Sequence, residues 1–201
     1  MAYEDDLSLE IVLRILESPG VISSNKRFLA GTLFQGRGFG YLKRNINGFN
    51  KASKGMPYLI LTDLDDEECA PIMVKEWLQQ TRNPNLIFRI AVREVESWVL
   101  ADRPGFAKFL GISQKKVPVK PDELPDPKAH LINLARASRK RSLRDDIVPK
   151  QGSTAKQGPA YNERLVSFVR AAWNPSTARQ FSPSLERTLK AIEAFAPIWP
   201  A

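Results

Sequence analysis

Soft metal ligands are almost missing from this chain: its 201 residues include one cysteine, Cys69, and one histidine, His130. A lone cysteine excludes an internal disulfide, and at the start of a predicted helix it reads as a small packing residue before it reads as a nucleophile. A lone histidine is too solitary for a zinc site or a Ser/His triad. No apolar run approaches the roughly 20 residues that cross a bilayer, and the opening Glu4-Asp5-Asp6 lacks the basic and apolar regions of a signal peptide. The expectation is a cytoplasmic protein without a membrane partner. Internal repeats and low-complexity tracts are also absent, and 43% hydrophobic residues suit a globular chain with a substantial core.

What the chain does have is acid at strand ends. The apolar run from Tyr58 to Thr62 reads as a buried strand and finishes in Asp63-Leu64-Asp65-Asp66. Strand alternation predicts Asp63 and Asp65 on one side, with Asp66 opening the turn. Like charges at that spacing repel, so either solvent or a divalent cation must compensate, and hard carboxylate oxygens suit Mg²⁺ or Mn²⁺. Glu4-Asp5-Asp6 forms a second cluster ahead of a helical pattern, Leu9, Val12, Leu13 and Leu16. Asp5 or Asp6 can cap that helix, which leaves Glu4 at a strand-to-helix junction without a local role. The third cluster, Glu94-Val95-Glu96-Ser97-Trp98, follows the apolar segment 86–92.

Glu4, then Asp63-x-Asp65, then Glu94-Val95-Glu96-Ser97-Trp98 through Asp102 resembles the TOPRIM domain, and more closely the small TOPRIM-like bacterial proteins related to the overcoming-lysogenization-defect nucleases. Gly158-Pro159-Ala160-Tyr161-Asn162 and Phe181-Ser182-Pro183-Ser184-Leu185 are similar to the tail of that group. The resemblance implies a metal-dependent nuclease, often encoded beside an ATPase and tied to phage defence. It implies Glu4, Asp63, Asp65 and Glu96 as catalytic residues, Asp66 and Glu94 as further metal ligands, and Lys156 approaching the centre to stabilise a crowded phosphate. Trp98 is expected in the core rather than against a base.

Other uses of the aspartates fit less well. An EF-hand loop from Asp63 would need Gly and Glu where Glu68 and Val74 stand. A haloacid-dehalogenase-type phosphatase also ends a strand in Asp-x-Asp, but it continues with Thr or Val where this chain has Asp66, and it gives Glu4 and Glu96 no role.

Charge is segregated along the chain. Residues 1–102 carry 12 Lys and Arg against 14 Asp and Glu, while residues 103–201 carry 18 against 8. The densest basic run, Arg136 to Arg144, is expected to continue a helix begun near His130, with Arg139, Lys140, Arg141 and Arg144 meeting phosphates or lying on a solvated face. A glycine-rich loop, Gln35 to Tyr41, with Arg37, Lys43 and Arg44 close by, is a second candidate for phosphate contact.

Strand candidates at 27–34, 58–63 and 86–92, with helical patterns between them, predict an α/β fold with a mainly parallel sheet flanked by helices. From about residue 97 the pattern turns helical, with helices expected over 98–110, 128–138, 159–173 and 184–195. The predicted organisation is a core over 1–102 and a basic helical extension over 103–201 packed on it. Two functions stay open: a nuclease using Mg²⁺ or Mn²⁺, or a non-catalytic module that binds an ATPase partner or nucleic acid.

Overall fold

The computed structural model describes residues 1–22, 28, 31–36 and 39–199. Four parallel strands form its sheet: β1 (Ala2–Tyr3), β2 (Phe34–Gln35), β3 (Tyr58–Asp63) and β4 (Leu86–Ala91), in the order β2-β1-β3-β4. Helices α1 (Asp6–Leu16), α2 (Phe39–Ala52) and α3 (Ala70–Trp77) fall between the strands. After β4 come α4 (Val95–Ala101), α5 (Arg103–Leu110), α6 (Pro127–Arg136), α7 (Arg141–Ile147), α8 (Tyr161–Ala171), α9 (Pro175–Ala178) and α10 (Pro183–Glu193). The α/β class with a parallel sheet and a helical second half is as expected.

The sheet is covered on both faces. Alternation turns Ile60 of β3 with Leu86, Phe88 and Ile90 of β4 towards Leu42, Ile46, Met73 and Trp77 on α2 and α3. Leu61, Ile87 and Ala91 turn the other way, into a larger cluster that takes in Leu7, Ile11 and Ile15 from α1 and Trp98 from α4. That cluster also holds Leu131, Leu165, Leu185 and Ile192, so one core draws on residues from both sides of position 102.

Strand order sets the location of the crevice. The chain leaves β1, forms β2 on one side of it, then crosses to form β3 on the other side. Crossover helices diverge where the order reverses, which opens a crevice at the carboxyl ends of β1 and β3. Glu4 and Asp63 both stand at that place.

Several local expectations change. The strand expected over 27–34 is present as Phe34–Gln35, held by hydrogen bonds from the Phe34 amide to the Met1 carbonyl (2.9 Å) and from the Gly36 amide to the Tyr3 carbonyl (2.8 Å); residues 23–27 and 29–30 lie outside the described residues. In α1 the fully buried face is Leu7, Ile11 and Ile15 with Val12, whereas Leu9, Leu13 and Leu16 are half-buried. This helix lies between the sheet and α8, so apolar residues surround it and a single stripe misplaces the inner face. The helix expected over 98–110 breaks at Asp102, which caps α5 by accepting from the Gly105 amide (3.2 Å) and also accepts from the Asn174 amide (3.0 Å). The basic run does not continue α6. That helix ends at Arg136, and α7 starts anew at Arg141.

Candidate acidic site

Pairing of Asp63 with Ala91 brings the ends of β3 and β4 level, so the turn 92–94 and the first residues of α4 pack beside the Asp63 carboxyl. One Asp63 oxygen accepts from the Val95 amide at 2.9 Å, meeting an amide that the helix leaves unpaired. Glu4 reaches over from β1: its Oε1 accepts from the Asp63 amide at 3.1 Å and from the Thr62 hydroxyl. Glu96, on the inner side of α4, is 3% exposed and accepts from the Tyr161 hydroxyl at 3.0 Å, with Lys128 Nζ 3.4 Å away. Glu94 accepts from the Lys128 amide at 3.0 Å. Five residues from five segments thus share one centre: Glu4, Asp63, Glu96, Lys128 and Tyr161.

Asp65 sits differently from the strand-based expectation. β3 ends at Asp63, and Asp65 takes a left-handed backbone, φ 48°, on an exposed turn. Arg93 clamps the turn. Its carbonyl accepts from the Leu64 and Asp65 amides, both at 2.9 Å, and its guanidinium donates to the Asp65 carbonyl (3.0 Å) and the Glu67 carbonyl (2.8 Å). Asp66 is exposed on the same turn.

Crowding of like charge shows in the acidities. Asp63 keeps some open surface, yet protein closes around its carboxyl. Burial, then repulsion from Glu96 and Glu4, holds its pKa well above the usual aspartate value. Glu4 is raised by burial and by Asp65 and Asp5, against the pull of its bonds from Thr62 and Asp63. Burial raises Glu96 as well, opposed by Lys128. Burial and the Glu96 charge push Glu94 up to about 7. Asp65 is raised by burial and by Asp66. Burial alone would lower Lys128, but Glu96 and Glu94 outweigh it and the net shift is upward.

The lysine at this centre is Lys128, at the start of α6; Lys156 lies on the exposed loop between α7 and α8. Sequence reasoning missed Lys128 because nothing in its local pattern distinguishes it. Tyr161 did carry a signal, the Gly158-Pro159-Ala160 that precedes it. A Cβ on Gly158 would lie 2.3 Å from the Asp146 carbonyl oxygen, so only glycine lets this segment pass over the end of α7 and deliver the tyrosine. The other tail motif lies under the site: the Ser184 hydroxyl accepts from the Trp98 indole at 2.6 Å, while Ser182 donates to Asp122 at 2.7 Å. Trp98 is fully buried, as expected.

The basic candidates divide. Arg139 and Arg141 are exposed, Arg141 lying 3.6 Å from Asp145. Lys140 instead donates to the Lys108 (3.2 Å) and Phe109 (2.8 Å) carbonyls at the end of α5, and Arg144 to the Ser138 carbonyl (3.3 Å). Lys43 and Arg44 are exposed on α2, with Lys43 Nζ 6.0 Å from the centre of the Trp77 ring; Arg37 lies outside the described residues.

Among the described residues no three His, Cys, Asp or Glu side chains are disposed as a ready-made metal cage. None of the described helices is long and apolar enough to cross a membrane. No family model, curated protein or solved structure matches this chain.

Proposed function

We propose that this protein hydrolyses phosphodiester bonds in nucleic acid with the help of Mg²⁺ or Mn²⁺, as a nuclease of TOPRIM type. The observation that carries the reading is the meeting of Glu4, Asp63 and Glu96 at the reversal point of the strand order, with Asp65 beside them. Gathering carboxylates in a partly buried place is unfavourable, and a bound dication offsets that cost. The donor set suits a hard ion, being all oxygen with no histidine or cysteine. Asp63, Asp65, Glu4 and Glu96 would hold it, with Asp66 and Glu94 at the margin. The ion would supply a water of lowered pKa and charge neutralisation at the leaving oxygen.

The chain's own groups do the rest. Glu4 would either hold the ion or take a proton from an attacking water. Lys128 brings a positive charge to a centre otherwise negative, suited to a non-bridging phosphate oxygen. Arg93 fixes the turn that presents Asp65. A co-encoded ATPase as partner, and a role in phage defence, belong to the same proposal.

A second reading has an observation in its favour. Glu4 is already engaged by Thr62 and Asp63, and Glu96 by Lys128 and Tyr161, so the cluster is satisfied internally. Such a centre suits a non-catalytic module that binds an ATPase or nucleic acid. A Mn²⁺ titration separates the two. For the nuclease, Mn²⁺ at about a hundred times its Kd stabilises the fold by about 2.7 kcal/mol, and cleavage of a labelled oligonucleotide starts with it. If Mn²⁺ moves neither the melting temperature nor cleavage, the module reading stands.

A further inference from the structure

The carboxylates of the acidic centre have a single cation among them. Among the described residues Lys128 is the one Lys or Arg ion-paired with any of Glu4, Asp63, Asp65, Glu94 and Glu96. Its Nζ lies 3.4 Å from Glu96 Oε1, the oxygen that also accepts from Tyr161, and 6.0 Å from the centre of the Tyr161 ring. Its charge is felt by Asp65 and Glu94 as well as by Glu96, and Asp63 acts back on it. One ammonium therefore does for four carboxylates what a bound ion would do. The backbone beneath it is fixed: the Lys128 amide donates to Glu94 at 3.0 Å, and Asp126 caps α6 by accepting from the Ala129 amide at 2.7 Å.

A carboxylate as buried as Glu96 is costly without a positive partner. Lysine meets that need with a point charge on a flexible stem, which detaches more readily than the planar fork of an arginine. The Glu96 side chain is 3% exposed and that of Lys128 36%, so the lysine has solvent to move into and the glutamate does not. A dication held by the same carboxylates would stand within a few ångströms of the ammonium, and the two would repel strongly. Lysine and dication thus compete for Glu96. With the lysine in place, the described acids form no ready-made cage.

We propose that Lys128 is a resident counter-ion, which holds the metal's place at Glu96 while the centre is empty, yields it when a dication is taken up, and then turns its charge to the substrate phosphate. The exchange rests on the metal-dependent nuclease reading. It joins two observations that otherwise pull apart, a gathering of acids suited to a hard ion and a centre already satisfied without one. The main-chain bond to Glu94 keeps a displaced Lys128 beside the centre rather than releasing it.

The test is Mn²⁺ affinity, measured by calorimetry and by melting curves, in the wild type, Lys128→Gln, Lys128→Arg and the exposed control Lys115→Gln. Lys128→Gln keeps an amide that can donate to Glu96 but loses the charge. It should melt below the wild type in EDTA, bind Mn²⁺ at least about tenfold more tightly, and close the gap in melting temperature as Mn²⁺ rises, while its cleavage slows. Lys128→Arg and Lys115→Gln should bind Mn²⁺ as the wild type does. A merely structural lysine predicts that Lys128→Gln is destabilised equally with and without Mn²⁺. If the wild type binds Mn²⁺ and Lys128→Gln binds it no more tightly, or if Lys128→Arg gains as much affinity as Lys128→Gln, the counter-ion is overturned and the nuclease reading stands. If Lys128→Gln binds Mn²⁺ and the wild type does not, the lysine is a counter-ion that bars the metal and the nuclease reading falls. If neither binds, both fall. Should Lys128→Gln fail to fold, a structure of the wild type with Mn²⁺ decides: Lys128 beyond ion-pair distance of Glu96 supports the exchange, and Lys128 still paired with Glu96 beside a bound ion overturns it.

Discussion

The hydroxyl of Tyr161 donates to the carboxylate of Glu96 at 3.0 Å across 65 residues of sequence, and Lys128 shares the same oxygen. This bond ties the helical second half of the chain to the acidic centre. Tyr161→Phe keeps the packing and deletes the donor, so a loss of about 1.5 to 3 kcal/mol is expected, as for a hydrogen bond to a charged group. Urea unfolding of the two proteins in EDTA measures it. An unchanged midpoint would mean that Lys128 alone satisfies Glu96.

Asp63→Asn should abolish metal-dependent cleavage while leaving the fold intact. Without metal the variant should melt at or above the wild-type temperature, because a carboxylate raised by burial, Glu96 and Glu4 is replaced by a neutral amide of the same shape. Parallel cleavage assays and melting curves in EDTA check both halves. Cleavage that survives the substitution would place the chemistry elsewhere.

Glu94 predicts a pH dependence. Its pKa stands at about 7 against an ordinary 4.5, raised by burial and by Glu96, so the folded state holds this proton more tightly than the unfolded chain. The stability it contributes is complete below about pH 4.5 and is lost as pH rises through about 7. Because the group is partly open to solvent, screening keeps the effect to about 1 kcal/mol. Denaturation midpoints between these pH values, in EDTA, should decline for the wild type and decline less for Glu94→Gln.

Gly158→Ala should cost about 1 to 3 kcal/mol, since the new methyl meets the Asp146 and Ile147 backbone at 2.3 and 2.6 Å and one of the two segments must move. The loss should come with weaker protection of the Tyr161 region in hydrogen exchange. Gly152→Ala is a control for backbone strain without crowding: its φ is 80°, but nothing lies within 4 Å of its added Cβ.

The basic run should split into two kinds of residue. Lys140→Ala and Arg144→Ala remove donors to the Lys108, Phe109 and Ser138 carbonyls and should lower the melting temperature. Arg139→Ala and Arg141→Ala should leave it within about 0.5 kcal/mol of the wild type. Equal effects from all four would remove the distinction.

Long apolar runs made β3 and β4 plain in the sequence, and the acids that follow them marked the end of the sheet where the centre lies. What was hidden is what distance along the chain hides. The two residues of β2 carry no periodicity, and β1 flanks them only in space. The inner face of α1 was misjudged because Leu9 and Leu13 look as apolar as Leu7 and Ile11, and only packing against α8 separates them. Lys128 became visible at the centre only once α6 was laid against α4. Asp65 left the strand because the turn bends beneath Arg93, a contact that strand alternation does not contain.

A central strand of two residues has little to hold it. Ala2 is paired with both β2 and β3 and Tyr3 with β2, but the loops they close are long, with 58 residues separating Glu4 from Thr62. Loop closure of that kind is entropically expensive, and few contacts reward it. Opening of the amino-terminal segment should therefore be a partial unfolding event of lower free energy than loss of the β3–β4 ladder. The molecule would then spend a fraction of its time folded but without Glu4 in place, and anything that docks on the first strand would govern how large that fraction is.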